Sequence, residues 1–242
     1  MIFHFPQRRI NPTLDLKINN ISISKTSEFN FLGLLIHETL TWQPHINKIS
    51  IKLSKLIGIF KKLHKHLPTN TLLLMYNSLF LPHVNYSILA WGYSCDRITK
   101  LQKSVVRLIC HAKYNSHTDL LFKTLKLLKT QDLLKLKALK FYFRYSQNQL
   151  PEYFSDIYSL TPITHPYQTR NRHVPPLPIP KRNRARNCIR YFIPSLLKRT
   201  PPCITDKLYT HSMSSFSKYT KLHFISQYSE TCTIANCYIC SN

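Results

Sequence analysis

Residues 29–67 read FNFLGLLIHETLTWQPHINKISIKLSKLIGIFKKLHKHL, and the fold of the chain turns on this stretch. Phe29, Phe31 and Gly33 alternate with Asn30 and Leu32, and the apolar run continues to Ile36. That pattern predicts a strand. Trp42 and Pro44 then mark a helix start, proline being favoured in the first turn. Ile46, Ile49, Leu53, Leu56, Ile57, Phe60, Leu63 and Leu67 follow a helical period. The helix should end before Pro68, after roughly 35 Å at about 1.5 Å per residue. Lys48, Lys52, Lys55 and Lys62 fall on the side away from the apolar stripe. No acidic residue occurs between Glu38 and Asp96.

Ahead of this stretch, residues 2–5 form a candidate strand stopped by Pro6. Residues 7–13 are a basic loop. Leu14, Leu16 and Ile18 alternate, Asn19 and Asn20 tolerate positive φ, and Ile21 and Ile23 alternate again. This is a hairpin with a two-residue turn. The first 36 residues are therefore expected as one small antiparallel sheet, too small to be stable alone. The start at MIFH, with neither leader nor cap, reads as a chain joined in mid-domain.

Behind it the pattern is helical. Thr69 or Asn70 should cap a second helix, ended by Pro82. A third runs from His83 to Trp91 and stops at Gly92. A fourth opens at Asp96, with Ile98, Leu101, Val105, Leu108, Ile109 and Ala112 in phase and Arg97, Lys100, Lys103 and Arg107 outward. Thr118 should cap a short helix and Thr130 a longer one reaching about Gln147, with Leu134, Ala138, Phe141 and Tyr145 in phase. Four successive apolar stripes can bury one another, which favours a bundle over a basic amphipathic helix lying on a membrane or filling a calmodulin groove.

From about residue 159 proline, arginine and asparagine take over. VPPLPIPKRNRARN cannot be a helix, and a basic extended arm is expected. It carries Arg170, Arg172, Lys181, Arg182, Arg184, Arg186 and Arg190, interleaved with Tyr167, His173 and Tyr191. Arginine forks bind phosphate and aromatic rings stack on unpaired bases, so the arm points to RNA or single-stranded DNA above a plain basic import or solubility tract. A weak helical pattern returns with Phe216, Tyr219, Leu222 or His223, and Gln227.

Lys and Arg number 34 against 10 Asp and Glu, a net charge of +24 over 242 residues. Such self-repulsion calls for an anionic partner, nucleic acid first and an anionic membrane surface second. Three glycines exclude Gly-rich phosphate loops. No apolar run approaches the roughly 18 residues that span a bilayer. Seven cysteines with no secretory leader are read as free thiols in a reducing compartment, nucleus or cytoplasm, in a protein that is not secreted. Cys232, Cys237 and Cys240, spaced C-x4-C-x2-C, are a zinc candidate if His211 or His223 completes the set. Against it stand the tighter spacing of a zinc knuckle and the single C-x2-C. The ten acids are dispersed and no Asp-Asp pair occurs, so no two-metal site is visible. His37, His45, His64, His66 and His83 lack carboxylate companions and read as ordinary helix histidines.

The segment Phe29-Asn30-Phe31-Leu32-Gly33-Leu34, then Leu40-Thr41-Trp42 and His45-Ile46, resembles the FLG strand and following helix of the reverse transcriptases of non-LTR retrotransposons, of the jockey-like and long-interspersed-element type. The likeness continues through Tyr76-Asn77-Ser78-Leu79, Pro82-His83-Val84-Asn85-Tyr86, Ala90-Trp91-Gly92, Leu101-Gln102-Lys103, Ala112 and His117-Thr118. Tyr167 with Thr169-Arg170, and Ile189-Arg190-Tyr191-Phe192, resemble the variable C-terminal region of the same proteins. In that family the strand is the primer grip and the helix begins the thumb. The resemblance implies that Phe31, Leu32 and Gly33 place a primer end, with Gly33 admitting a close backbone approach, and that Lys48, Lys52 and Lys55 track a nucleic-acid backbone. Packing of Phe31 and Leu32 in a small sheet is the competing reading of those side chains. The family's catalytic aspartates lie upstream of the FLG strand, so none can be carried over. Mg²⁺ is expected only for the missing catalytic palm, and no cofactor for this chain.

The expected fold is mainly α with a small N-terminal antiparallel β-sheet: residues 1–36 as the end of a palm, 37–158 as a thumb-like helical bundle, and 159–242 as an extended basic tail. The expected function is that of a truncated reverse transcriptase that binds template–primer or RNA and does not polymerise alone. The alternative is a domesticated, non-enzymatic RNA or single-stranded DNA binder. Nucleic acid is the expected partner, together with the missing upstream polymerase region; neither a membrane nor a small-molecule substrate is expected.

Overall fold

The computed structural model describes residues 1–4, 16–158, 175, 177–180 and 183–229. The basic loop at 7–13, Arg170, Arg172, Arg182 and the three terminal cysteines lie outside the described residues, as does the side chain of Arg184. The chain is mainly helical with small antiparallel strand pairs near its N-terminus.

The strands form two separate hairpins rather than one sheet. β1 (Lys17–Ile18) pairs with β2 (Ile21–Ser22) across Asn19 and Asn20, both at positive φ, as a two-residue turn requires. All four paired residues are exposed. β3 (Glu28–Phe31) pairs with β4 (Leu34–His37), Phe31 opposite Leu34. The run from Phe29 to Ile36 is thus not a single strand. It folds back at Leu32 (φ 46°) and Gly33 (φ 84°). A Cβ on Gly33 would stand 3.6 Å from the Tyr86 ring, an ordinary contact, so within the chain it is the positive φ that calls for glycine here.

α1 (Gln43–Leu63) has Pro44 in its first turn and buries Ile46, Ile49, Leu53, Ile57 and Phe60. α2 (Thr69–Met75) starts from Pro68, and neither Thr69 nor Asn70 caps it. It does not stop at Pro82. A π turn over Tyr76–Phe80 widens the helix just before the proline, and the Leu81 N–H reaches back to the Tyr76 carbonyl. Pro82 then stands in the first turn of α3 (Leu81–Asn85), where its missing N–H has no consequence. The expected helix from His83 to Trp91 is broken at Ser87 (φ 48°), after which α4 (Ile88–Trp91) begins. A Cβ on Gly92 would lie 2.8 Å from Ile88 Cγ1 and 3.2 Å from Leu134 Cδ1. Glycine there lets the end of α4 close onto Leu134.

α5 (Asp96–Ile109), α6 (Asp119–Thr124) and α7 (Thr130–Ser146) complete the first core. Thr118 precedes α6 without a capping bond. Thr130 is the first helical residue of α7 and not its cap. Its amide and hydroxyl both donate to Gln102 Oε1 at 2.9 Å. Gln102 Nε2 donates in turn to Tyr76 Oη and to the Leu128 carbonyl, each at 2.8 Å. A single fully buried amide thus joins α5, the π turn and the start of α7.

The described part of the C-terminal region is folded against this bundle. α8 (Ile189–Arg199), α9 (Pro202–Thr205), α10 (Lys207–Thr210) and α11 (Met213–Ser226) bury Ile193, Leu197, Ile204, Leu208, Phe216 and Phe224. α8 and α11 both pack on α7. Tyr228 closes the unit: its hydroxyl accepts the Lys129 N–H at 3.0 Å and donates to Asp132 Oδ2 at 2.8 Å. Of the helical set expected around Phe216, only Phe216 is core. Tyr219 and Leu222 are exposed, and the buried face runs through Thr220, Phe224 and Ile225.

Candidate nucleic-acid interface

α1 and α5 lie side by side and run in the same direction. Near their N-termini Arg97 Nη1 donates to Asn47 Oδ1 at 2.9 Å. Near their C-termini the His64 and His111 rings are 6.0 Å apart. The fourteen residues of α5 make the shared length about 21 Å.

The core side of α1 is set by its apolar period, so its polar residues are forced outward. Lys48, Lys52, Lys55 and Lys62 make one stripe; Lys48 is half-buried and the others exposed. Ile51 and Ile59 are exposed beside them. Gly58 has nothing above it. On α5, Arg97 and Lys100 are exposed while Lys103 and Arg107 are half-buried. Arg107 Nε donates to the Ser116 carbonyl at 2.8 Å, and burial lowers its pKa. Arg107 therefore fixes the 110–117 connection, which leaves it a smaller share in any surface site. Arg186 and Arg190 are exposed at the start of α8.

Three carboxylates are engaged elsewhere. Glu38 faces Lys25 and His4, each at 3.6 Å, Asp119 pairs with Lys129 at 2.7 Å, and Asp132 with Lys135 at 2.8 Å. Among the described residues no carboxylate pairs with the α1 stripe. The stripe thus keeps its full positive field, and ion pairs of its own do not compete with a phosphate backbone.

The β3–β4 hairpin stands at the N-terminal end of this helix pair, held by two side chains. Tyr86 Oη donates to the Leu32 carbonyl at the hairpin tip. Tyr86 is itself placed by its own carbonyl, which accepts Trp91 Nε1–H at 2.9 Å from the fully buried indole. On β4 the Leu35 N–H donates to His45 Nδ1 at 3.2 Å. His45 is buried edge-on between Trp42 and Trp91, and its Nε2 has no partner. Desolvation, then Lys48 and Lys52, hold its pKa below the usual histidine value. Phe31 (52% exposed) and Leu32 (74%) point into solvent, so packing in a sheet does not account for them. The structure thus brings Phe31, Leu32 and Gly33 to the end of the Lys stripe. The His45 and Tyr86 clasps escaped sequence reasoning; each bonds a backbone group in another element, 10 and 54 residues away, and no periodicity signals that.

Among the described residues no group of three or more metal-binding side chains is assembled, and no helix is long and apolar enough to cross a membrane.

Fold and surface together define a basic helical protein with an uncompensated lysine face and a clasped β-hairpin beside it. The chain is 23% identical over 139 residues to a probable RNA-directed DNA polymerase from transposon X-element of Drosophila melanogaster, a match covering 54% of this chain and 15% of that protein. No family model and no solved structure matches the chain.

Proposed function

We propose that this chain is the nucleic-acid-gripping part of a non-LTR retrotransposon reverse transcriptase, with the β3–β4 hairpin as a primer grip and α1 with α5 as the thumb. The observation that carries this reading is the acid-free Lys stripe of α1, running away from an exposed hairpin tip held in place by Tyr86 and His45. The likeness to the X-element polymerase supports the same class. Exposed lysines along a helix supply sequence-independent attraction to phosphates. A hairpin tip with two exposed apolar side chains supplies a contact for a strand end. The chain has no Asp-Asp pair, so the Mg²⁺-dependent step is assigned to residues outside it.

The test is competition between a recessed primer–template and single-stranded RNA of equal length, alongside primer extension with Mg²⁺. The reading expects about tenfold tighter binding of the recessed end and no extension. Equal affinity would favour the alternative, a basic protein that coats RNA or single-stranded DNA. DNA synthesis by the chain alone would overturn the assignment of catalysis to other residues.

A further inference from the structure

Where α1 begins, a cavity of about 440 Å³ opens among Trp42, Gln43, Tyr93, Ser94 and Asn187, within the range of about 300–1,000 Å³ typical of small-ligand sites. None of the residues lining it is charged. In a chain of net charge +24 that is unexpected, and it argues against a phosphate as the occupant. The walls offer instead two aromatic rings and a set of neutral hydrogen-bonding groups. The Tyr93 ring is fixed edge-on against Phe192 at 4.9 Å. Its hydroxyl is closed off from solvent and burial raises its pKa, so Tyr93 offers the cavity its ring and not its hydroxyl. Gln43 gives one amide hydrogen to Asn47 Oδ1 at 3.1 Å and keeps its carbonyl oxygen for another donor. Asn187, also in the lining, is exposed and adds a second amide.

Neutral amides and hydroxyls around aromatic rings match the edge and the face of a nucleobase. The surroundings supply what the cavity lacks. Arg97 is exposed and hydrogen-bonded to Asn47, one turn beyond Gln43. Arg186 and Arg190 are exposed on either side of Asn187 in sequence. We infer that this cavity receives one unpaired nucleobase, while Arg97, Arg186 and Arg190 meet the phosphates of the same strand. The inference rests on the nucleic-acid reading above and specifies it further: the preferred ligand has an unpaired nucleotide beside a duplex held on the α1 stripe.

The chain has two tryptophans, of which Trp91 is fully buried and Trp42 half-buried against the cavity. Quenching of intrinsic fluorescence therefore reports base stacking at Trp42. A blunt duplex and the same duplex with a one-nucleotide flap are titrated into the full chain at fixed salt. The flap should bind about tenfold tighter, as one stacked base allows, and should quench the fluorescence where the blunt duplex does not. Asn187→Ala and Ser94→Ala, two exposed changes in the cavity lining that do not threaten the fold, should each cut the flap preference several-fold and leave blunt-duplex affinity unchanged. Equal affinity without quenching, while the blunt duplex still binds, would overturn the cavity assignment alone. Binding of neither duplex would overturn the nucleic-acid reading with it.

Discussion

At the scale of the residue, Gln102 shows how one polar side chain ties together an otherwise apolar core. Its side chain is wholly buried, and both ends of the amide are used twice. Burial pushes the Tyr76 hydroxyl up to about 12, with the Gln102 bond pulling the other way, so the phenol stays a neutral acceptor for the amide. Gln102→Leu keeps much of the volume but leaves the Thr130 amide and hydroxyl, the Leu128 carbonyl and the Tyr76 hydroxyl facing hydrocarbon. Each buried unsatisfied group costs about 1–3 kcal/mol and neighbouring losses overlap, so about 3 kcal/mol of destabilisation is expected. At a urea slope of about 2 kcal/mol/M the midpoint should fall by about 1.5 M. A change below about 0.5 kcal/mol, the size of an ordinary surface substitution, would show that the amide is not a keystone. None of this is legible in Leu101-Gln102-Lys103. A glutamine on the inner side of a helical stripe looks like an interruption until its partners, 26 and 28 residues away, are in place.

At the scale of the element, what was legible follows from length. α1, α5 and α7 carry enough apolar residues in phase for the 3.6 period to show. α8 to α11 are short or polar and bury a few residues each, and their core is shared with α7, so their composition reads as a tail. Pro82 misleads because a π turn absorbs it. The turn at Leu32 misleads because leucine seldom adopts positive φ; the Tyr86 bond to the Leu32 carbonyl, from a distant segment, helps hold it there. The hairpin is accordingly a separable element with two clasps, and one of them titrates. His45 accepts the Leu35 N–H only while Nδ1 is unprotonated. Its folded pKa lies below the ordinary histidine value of about 6.5, so the folded state binds fewer protons than the unfolded one. The contribution is complete above pH 6.5 and is lost as the pH falls through the lowered folded value, at up to about 1.4 kcal/mol per pH unit. Hydrogen-exchange protection factors of the β3–β4 amides should be flat from pH 8 to 6.5 and should fall below it. In Tyr86→Phe, which lacks the other clasp, they should be lower throughout and fall sooner. Protection that stays level down to pH 5 would show that His45 does not hold the hairpin.

At the scale of the whole molecule, the question is whether the +24 charge acts as a diffuse cloud or as a surface. The ion pairs decide it. Lys129 and Lys135 are neutralised by Asp119 and Asp132 around the start of α7, whereas Lys52, Lys55 and Lys62 on α1 have no carboxylate against them among the described residues. The lysine stripe was readable from its spacing alone, because a helix that buries one side must expose the other. That it is uncompensated was only half readable, since the position of each acid depends on the tertiary fold. Counterion release turns this difference into a measurement. Each lysine that neutralises a phosphate contributes about 0.9 to the slope of log affinity against log salt on duplex DNA, and about 0.7 on a single strand. Lys52→Ala, Lys55→Ala and Lys62→Ala combined should therefore lower the slope by about 2.7 on a duplex or about 2.1 on a single strand. All three side chains are exposed, so circular dichroism should be unchanged. Lys129→Ala with Lys135→Ala removes two charges of the same kind, yet their salt bridges already occupy them, and the slope should stay within experimental scatter of the parent. If both variants reduce the slope in proportion to the charges removed, binding comes from net charge alone and α1 is no interface. If only the α1 variant does so, the nucleic acid lies along that helix, and the hairpin at its N-terminal end is where a strand terminus is to be sought.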